Sequence, residues 1–325
     1  MKDAKINIHA FGESLRDIGF KGVISYDVPL APLTWYYIGG PAHILIEPHT
    51  SGDLVIAKSA LDNNPMPVLV MGAGSNLLIA DEGFPGAVLH LAGDFEEYSV
   101  DIERPSITSG AAVSLPKIVK EGARVGMAGI ERLAGIPGSV GGAIFMNAGT
   151  HGEYIADLVI AVEILTESNE IVSLTPEECR FSYRTSRFQD AGEIIIGCEL
   201  SGEKGNPDEL MSEVEQRLER RRNSQPVDVP SCGCVFRNPE GDKSAGRLID
   251  EAGLKGTKIG DAVISEKHAN FIINDGNASA KDILSLMALA RKIIHERTGI
   301  TLEPEVRTAG FSEPIEVMLD AWPEA

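Results

Sequence analysis

From Val23 onward the chain alternates between short apolar runs of strand length and stretches in which apolar positions recur at helical spacing. Residues 42–47, 68–71, 87–91, 106–109, 158–165, 170–173, 193–200 and 271–273 read as strands, and 234–236 is strand-like. Ser51 is placed to cap a helix that runs to Asn63 and stops at Asn64-Pro65. Ser114 opens another, with Pro116 near its start and Gly126 just past its end. A helix beginning at Asn206-Pro207 puts Leu210, Met211, Val214 and Leu218 on one face. A short one from Ser244 ends at Gly253. The long helix capped by Ser279 aligns Ile283, Leu286, Met287, Ala290 and Ile294 and ends at Gly299. Residues 1–21 show weak periodicity and read as an N-terminal extension, and the polar stretch 201–206 reads as a linker. Helices and strands alternate irregularly, in clusters. This predicts an α+β protein with more than one sheet, not a single doubly wound sheet.

Composition narrows the partners. The 325 residues are 43% hydrophobic, enough for a substantial core shared among two or three domains. The formal net charge is −19, so nucleic acid and anionic membranes are repelled. A phosphate ligand on such a protein has to be held by backbone N–H groups and a few placed Arg or Lys side chains. The N-terminal segment has no apolar signal region, and no later stretch reaches about 18 uninterrupted apolar residues, which predicts a cytoplasmic protein. Four cysteines in a chain this long are not a disulfide framework. Cys232 and Cys234 lack a second pair at zinc spacing, and the histidines show no paired motif, so no metal site is expected.

Five segments have the residue types for chemistry. GAGSN (Gly72, Ala73, Gly74, Ser75, Asn76, then Leu77) follows a buried strand. It is either a plain strand-to-turn junction or a nest of N–H groups for an anion. It is neither a dinucleotide G-x-G-x-x-G nor a P-loop. GIPGSVGGAIFMNAG holds Gly135, Gly138, Gly141, Gly142 and Gly149 among Ser139 and Asn147. Ordering so many glycines costs entropy, and backbone contact with a large flat or phosphorylated ligand would explain them; a flexible surface loop is the alternative. FSYRTSRF sets Phe181 and Tyr183 beside Arg184, for a bidentate carboxylate contact or merely an exposed strand edge. SCGCVFRNP offers Cys234 as acid or nucleophile, or as an inert buried thiol. In LEPEVR an extended backbone turns Glu303 and Glu305 to one face, functional or simply solvated.

In this order and spacing the segments resemble the UDP-N-acetylenolpyruvoylglucosamine reductase (MurB) family, from about Val23 to Gly310. The resemblance rests on IGGPA, GAGSNLLIADEGFPG, LAGIPGSVGGAIFMNAGTHGE, CRFSYRTSRF, GCVFRNP, AGRLIDEAGLKG, SEKHANFIIN and LEPEVR. It implies a noncovalent FAD-binding fold of the vanillyl-alcohol-oxidase (PCMH) type with a third α+β domain for a UDP-sugar. The implied division is 22–84 together with 306–325, then 85–205, then 206–305. Gly72 to Leu77 match the family's pyrophosphate-binding stretch. Gly138, Ser139, Gly142, Asn147 and Gly149 lie in its second flavin loop.

The resemblance further implies that NADPH reduces FAD, which passes hydride to the enolpyruvyl group of UDP-N-acetylglucosamine enolpyruvate, in peptidoglycan precursor synthesis. Arg184 matches the enolate-stabilising arginine, Glu305 its acidic partner, and Cys234 the proton donor, the three meeting beside the flavin. Serine is usual at the last position; a thiol, with an unperturbed pKa of about 8.5, is the stronger acid and can also donate to carbon. Tyr183 and Asn238 match substrate contacts. The tyrosine-bearing lid of one family branch is missing, so the chain is similar to the shorter type. Ser224 stands where that branch has a lysine, and Arg222 is expected to supply the charge to the diphosphate. A monomer is expected. Three other readings remain: a related FAD oxidase, a flavin- or nucleotide-binding protein without catalysis, and a soluble α+β protein whose Gly-rich loops are structural.

Overall fold

The structure is a computed structural model and describes residues 7–64, 66–150 and 152–321. The first six residues of the expected N-terminal extension, Pro65 of the helix stop, His151 and the last four residues of the C-terminal tail lie outside the described residues. The chain divides into two compact units. Residues up to 27, 43–73 and 86–219 form one; residues 28–42, 74–85 and 220 onward form the other.

In the first unit regular structure starts earlier than the periodicity predicts. A helix, Ile8–Asp17, is capped by Asn7, whose Oδ1 accepts the Ala10 N–H at 3.2 Å. It buries Phe11 and Leu15, one turn apart, in the unit's core. A stripe that narrow is too faint to read as a period. A second helix, Ser51–Asp62, is capped by Thr50 and not by Ser51: the Thr50 hydroxyl accepts from the Asp53 N–H. Five antiparallel strands form the larger sheet, in the spatial order Ile171–Leu174, Val159–Leu165, Ile194–Ser201, Ser106–Gly110, Tyr98–Asp101. In a four-stranded sheet, Val68–Met71 pairs in parallel with Phe84–His90 and delivers the chain to Gly72. The segment read as a linker is part of the fold, because Glu203–Lys204 pairs antiparallel with Met127–Ala128. A pairing of two residues shows no alternation for a sequence pattern to reveal.

The second unit has its own core. A three-stranded antiparallel sheet runs Lys258–Ile259, Ala262–Ile264, Ile272–Asn274, with the helix Ala280–Thr298 belonging to the same core. That helix has the predicted ends: a reciprocal capping box between Ser279 and Asp282, and Gly299 in the left-handed region at φ 73°. Its predicted face, Ile283, Leu286, Met287, Ala290 and Ile294, is buried throughout. The α+β class expected from the clustered pattern is the one observed.

Candidate active site

The two glycine-rich segments meet within the first unit. A Cβ on Gly72 would stand 2.4 Å from the Ser139 hydroxyl, so a side chain there would displace that hydroxyl. Ser139 is buried and accepts the Gly142 N–H at 3.3 Å, while Gly72, Ala73 and Gly142 are exposed. Two further glycines of the second segment serve close packing: a Cβ on Gly141 would lie 2.8 Å from the Ala111 Cβ, and one on Gly149 would lie 2.1 Å from the Glu153 carbonyl oxygen. Gly138 adopts φ 107°. Asn147 is buried in the left-handed region, φ 41°. Its Nδ2 donates to the Ser182 carbonyl at 2.9 Å and its Oδ1 accepts the Ala156 N–H at 3.3 Å.

That bond to Ser182 ties the second glycine-rich segment to the turn that presents Arg184. Ser182 and Thr185 exchange two backbone hydrogen bonds, of 3.0 and 3.1 Å, leaving Tyr183 and Arg184 at the tip. Arg184 takes φ 56°, a conformation that costs a non-glycine residue about 1–3 kcal/mol and is met where the surroundings impose it. Gln189 Nε2 fixes the Arg184 carbonyl at 3.0 Å. The guanidinium carbon lies 5.4 Å from the centre of the Tyr183 ring, a cation–π contact on a half-exposed ring.

Cys234 and Glu305 belong to the second unit, where two extended segments run side by side. The Glu305 N–H donates to the Val235 carbonyl and the Arg237 N–H to the Glu303 carbonyl, both at 2.8 Å, with a bridge between Phe236 and Pro304. The sequence therefore placed these residues correctly on extended backbone, although 234–236 joins no sheet. The other edge of the Cys234 segment is held by Asn270. Its carbonyl accepts the Val235 N–H at 2.9 Å, its Nδ2 donates to the Phe236 carbonyl at 2.8 Å, and its Oδ1 accepts the Phe236 N–H at 3.1 Å. Cys234 is half-buried, as is Glu305, whereas Glu303 is exposed.

The second half of GAGSN is locked to the Glu305 segment. Asn76 Nδ2 donates to the Glu305 carbonyl at 3.1 Å, and the Arg307 N–H donates back to the Asn76 carbonyl at 3.1 Å. Gly74, at φ 62°, accepts the Trp35 N–H at 3.1 Å, and a Cβ there would lie 2.2 Å from the Leu33 carbonyl oxygen. Among the described residues the N–H groups of Gly74, Ser75 and Asn76 donate to no protein acceptor. Successive uncommitted donors of this kind suit a pyrophosphate on an acidic protein.

Of the substrate residues expected from sequence, Asn238 is exposed and its Oδ1 accepts the Ala245 N–H at 3.1 Å, at the start of the helix Ala245–Glu251. Arg222 is exposed, and its carbonyl accepts from Lys267. The neighbouring Arg221 is the one turned inward. Burial lowers its pKa, and electrostatic interaction with Cys234 opposes that shift. Arg221 and Asn270 are the residues that sequence reading missed. Three consecutive arginines at a helix end announce a cation but not which one faces inward, since successive side chains are about 100° apart. Asn270 lies within SEKHANFIIN, where no local pattern marks a buried carboxamide. Among the described residues no group of three or more His, Cys, Asp or Glu side chains can hold a metal, and no helix is long and apolar enough to cross a membrane.

Residues 225–309 match the family model for the C-terminal domain of UDP-N-acetylenolpyruvoylglucosamine reductase, and residues 42–175 match that for an FAD binding domain. A UDP-N-acetylenolpyruvoylglucosamine reductase of Synechococcus sp. (strain JA-3-3Ab) is 43% identical over 90% of this chain and 94% of its own length. One from Paramagnetospirillum magneticum is 40% identical over 90% and 93%. The crystal structure of the reductase from Thermus caldophilus superposes with a TM-score of 0.75 at 38% identity, covering 89% of this chain and 99% of that one.

Proposed function

Since the chain belongs to the UDP-N-acetylenolpyruvoylglucosamine reductase family and contains its FAD binding domain, we propose that it uses NADPH to reduce the enolpyruvyl group of UDP-N-acetylglucosamine enolpyruvate, giving UDP-N-acetylmuramate for peptidoglycan synthesis in the cytoplasm. The observation that supports this most is the pairing of residues 234–237 with 303–305. It brings a thiol and a carboxyl onto adjacent extended segments, the second of them bonded to Asn76 of the glycine-rich turn.

The residues present fit FAD: a loop stripped of side chains at Gly72 and Gly74, with uncommitted N–H donors after it. Gly72 to Leu77 would hold the pyrophosphate. Gly138, Ser139, Gly142, Asn147 and Gly149 would shape the second flavin loop, Ser139 and Asn147 through the bonds they make to the protein. FAD held there would supply hydride transfer from NADPH to the methylene carbon of the enolpyruvyl group. Negative charge then develops on the adjacent carbon and its carboxylate. Arg184 would bind that carboxylate and stabilise the enolate, assisted by Glu305 in its protonated form or through a water. Cys234 would deliver its thiol proton to the carbon, completing the reduction, and Arg221 would favour the thiolate that remains. Tyr183, Asn238 and Arg222 would contact the UDP-sugar. On this reading residues 22–84 with 306–325, and 85–205, hold the flavin, and 206–305 bind the substrate, in a monomer.

Purified protein should show flavin absorbance or take up added FAD, and should oxidise NADPH faster when UDP-N-acetylglucosamine enolpyruvate is present. A colourless protein that takes up no FAD overturns the proposal. Flavin without substrate-dependent turnover overturns the reductase reading and favours an oxidase or a non-catalytic binder.

A further inference from the structure

Cys232 has no part in the mechanism above. It is buried, two residues before Cys234, and its thiol reaches the backbone of the phosphate-loop turn: Sγ lies 3.4 Å from the Leu77 carbonyl oxygen and 3.8 Å from that of Gly74. Those two carbonyls bracket Ser75 and Asn76, two of the three residues whose N–H groups are uncommitted. Each end of the turn is thus touched by one sulfur, from the same segment that presents the proton donor. Trp35 and Asn76 provide the turn's other bonds, to Gly74 and to residues 305–307. Burial pushes the Cys232 thiol up to about 12, so at neutral pH it keeps its proton and acts as a donor, not as a nucleophile.

We propose that Cys232 is a positioning residue for the flavin: its thiol clamps the Gly74–Leu77 turn to the segment carrying Cys234, holding the turn's N–H groups ready for the pyrophosphate. The inference rests on the FAD reading given above. A thiol is a weak donor, so its loss should cost a fraction of the affinity and not the fold.

The test measures FAD affinity of the full chain by flavin fluorescence, together with the melting temperature of the FAD-free protein. Cys232→Ala should weaken FAD binding about threefold to tenfold, and Cys232→Ser, which restores a donor, should return it to within about twofold of wild type. Unchanged affinity in Cys232→Ala, even with a lowered melting temperature, would reduce Cys232 to core packing and overturn the proposal. Failure of serine to rescue would do the same, by assigning the effect to lost volume. A second measurement needs no variant. In wild-type protein, saturating FAD should slow iodoacetamide modification of Cys232 about tenfold relative to Cys198, a buried thiol of the other unit; an unchanged ratio also overturns it. If wild-type protein binds no FAD at all, it is the flavin assignment that fails, and that result is separate from these.

Discussion

Arg184 and Cys234 are presented in opposite ways. Arg184 stands at the tip of a two-residue turn whose backbone is strained and which is held at the Ser182 and Arg184 carbonyls by the side-chain amides of Asn147 and Gln189. Cys234 lies on a segment held along both edges, by residues 303–305 on one side and by the backbone and carboxamide of Asn270 on the other. On the roles proposed for these residues, reach explains the difference. A guanidinium on a long flexible stem can adjust to a carboxylate, so its backbone needs only approximate placement. A thiol extends one bond beyond Cβ. For it to donate a proton across a hydrogen-bond distance, the backbone itself has to be held.

The comparison can be broken at several points. Arg184→Ala should lower the rate of enolpyruvyl reduction about 100-fold to 1000-fold while leaving flavin reduction by NADPH intact, as read by separate stopped-flow half-reactions. Cys234→Ala should lower the same half-reaction by about 100-fold, with Cys234→Ser tolerated; carbanion protonation unchanged in the alanine variant would remove Cys234 from the mechanism. Asn270→Ala should cost about 2–4 kcal/mol of stability in denaturant titrations, since both ends of a buried carboxamide lose their bonds to Phe236, and should slow the proton-donating step about tenfold. Asn147→Ala should cost less, about 1–2 kcal/mol, and should raise KM more than it lowers kcat, because a long arginine tolerates a looser turn. An Asn147 effect on kcat as large as that of Asn270 would contradict the argument from reach.

The smallest effect sharpens the picture of how the Cys234 segment is held. Burial, and after it Lys255 and Arg221, lower the pKa of His268, whose Nδ1 accepts the Asn270 N–H at 3.3 Å. With the folded pKa below the ordinary value of about 6.5, the unfolded chain binds the proton first as pH falls. This contribution to stability is complete above about pH 6.5 and is lost on acidification through the folded pKa. Denaturation midpoints should therefore decline below pH 6.5, and His268→Gln should flatten that slope. An unchanged slope in the variant would show that another group governs it.

Much of this protein was legible in one dimension. Helix ends at Ser279 and Gly299, the buried face between Ile283 and Ile294 and the extended habit of 302–307 follow from local chemistry, because caps and periodicity act within a few residues. The ordered set of motifs sufficed to identify the family and the candidate triad. Tertiary structure alone decided which glycines of the second segment face outward and which are spent on packing, since that depends on Ala111 and Glu153, remote in the chain or across a turn. It alone turned Arg221 inward in place of Arg222, set the Cys232 thiol against Gly74 and Leu77, and made Asn270 the strut of the Cys234 segment. These are contacts between residues tens to more than a hundred positions apart, and no local propensity records which distant carbonyl a buried donor will meet.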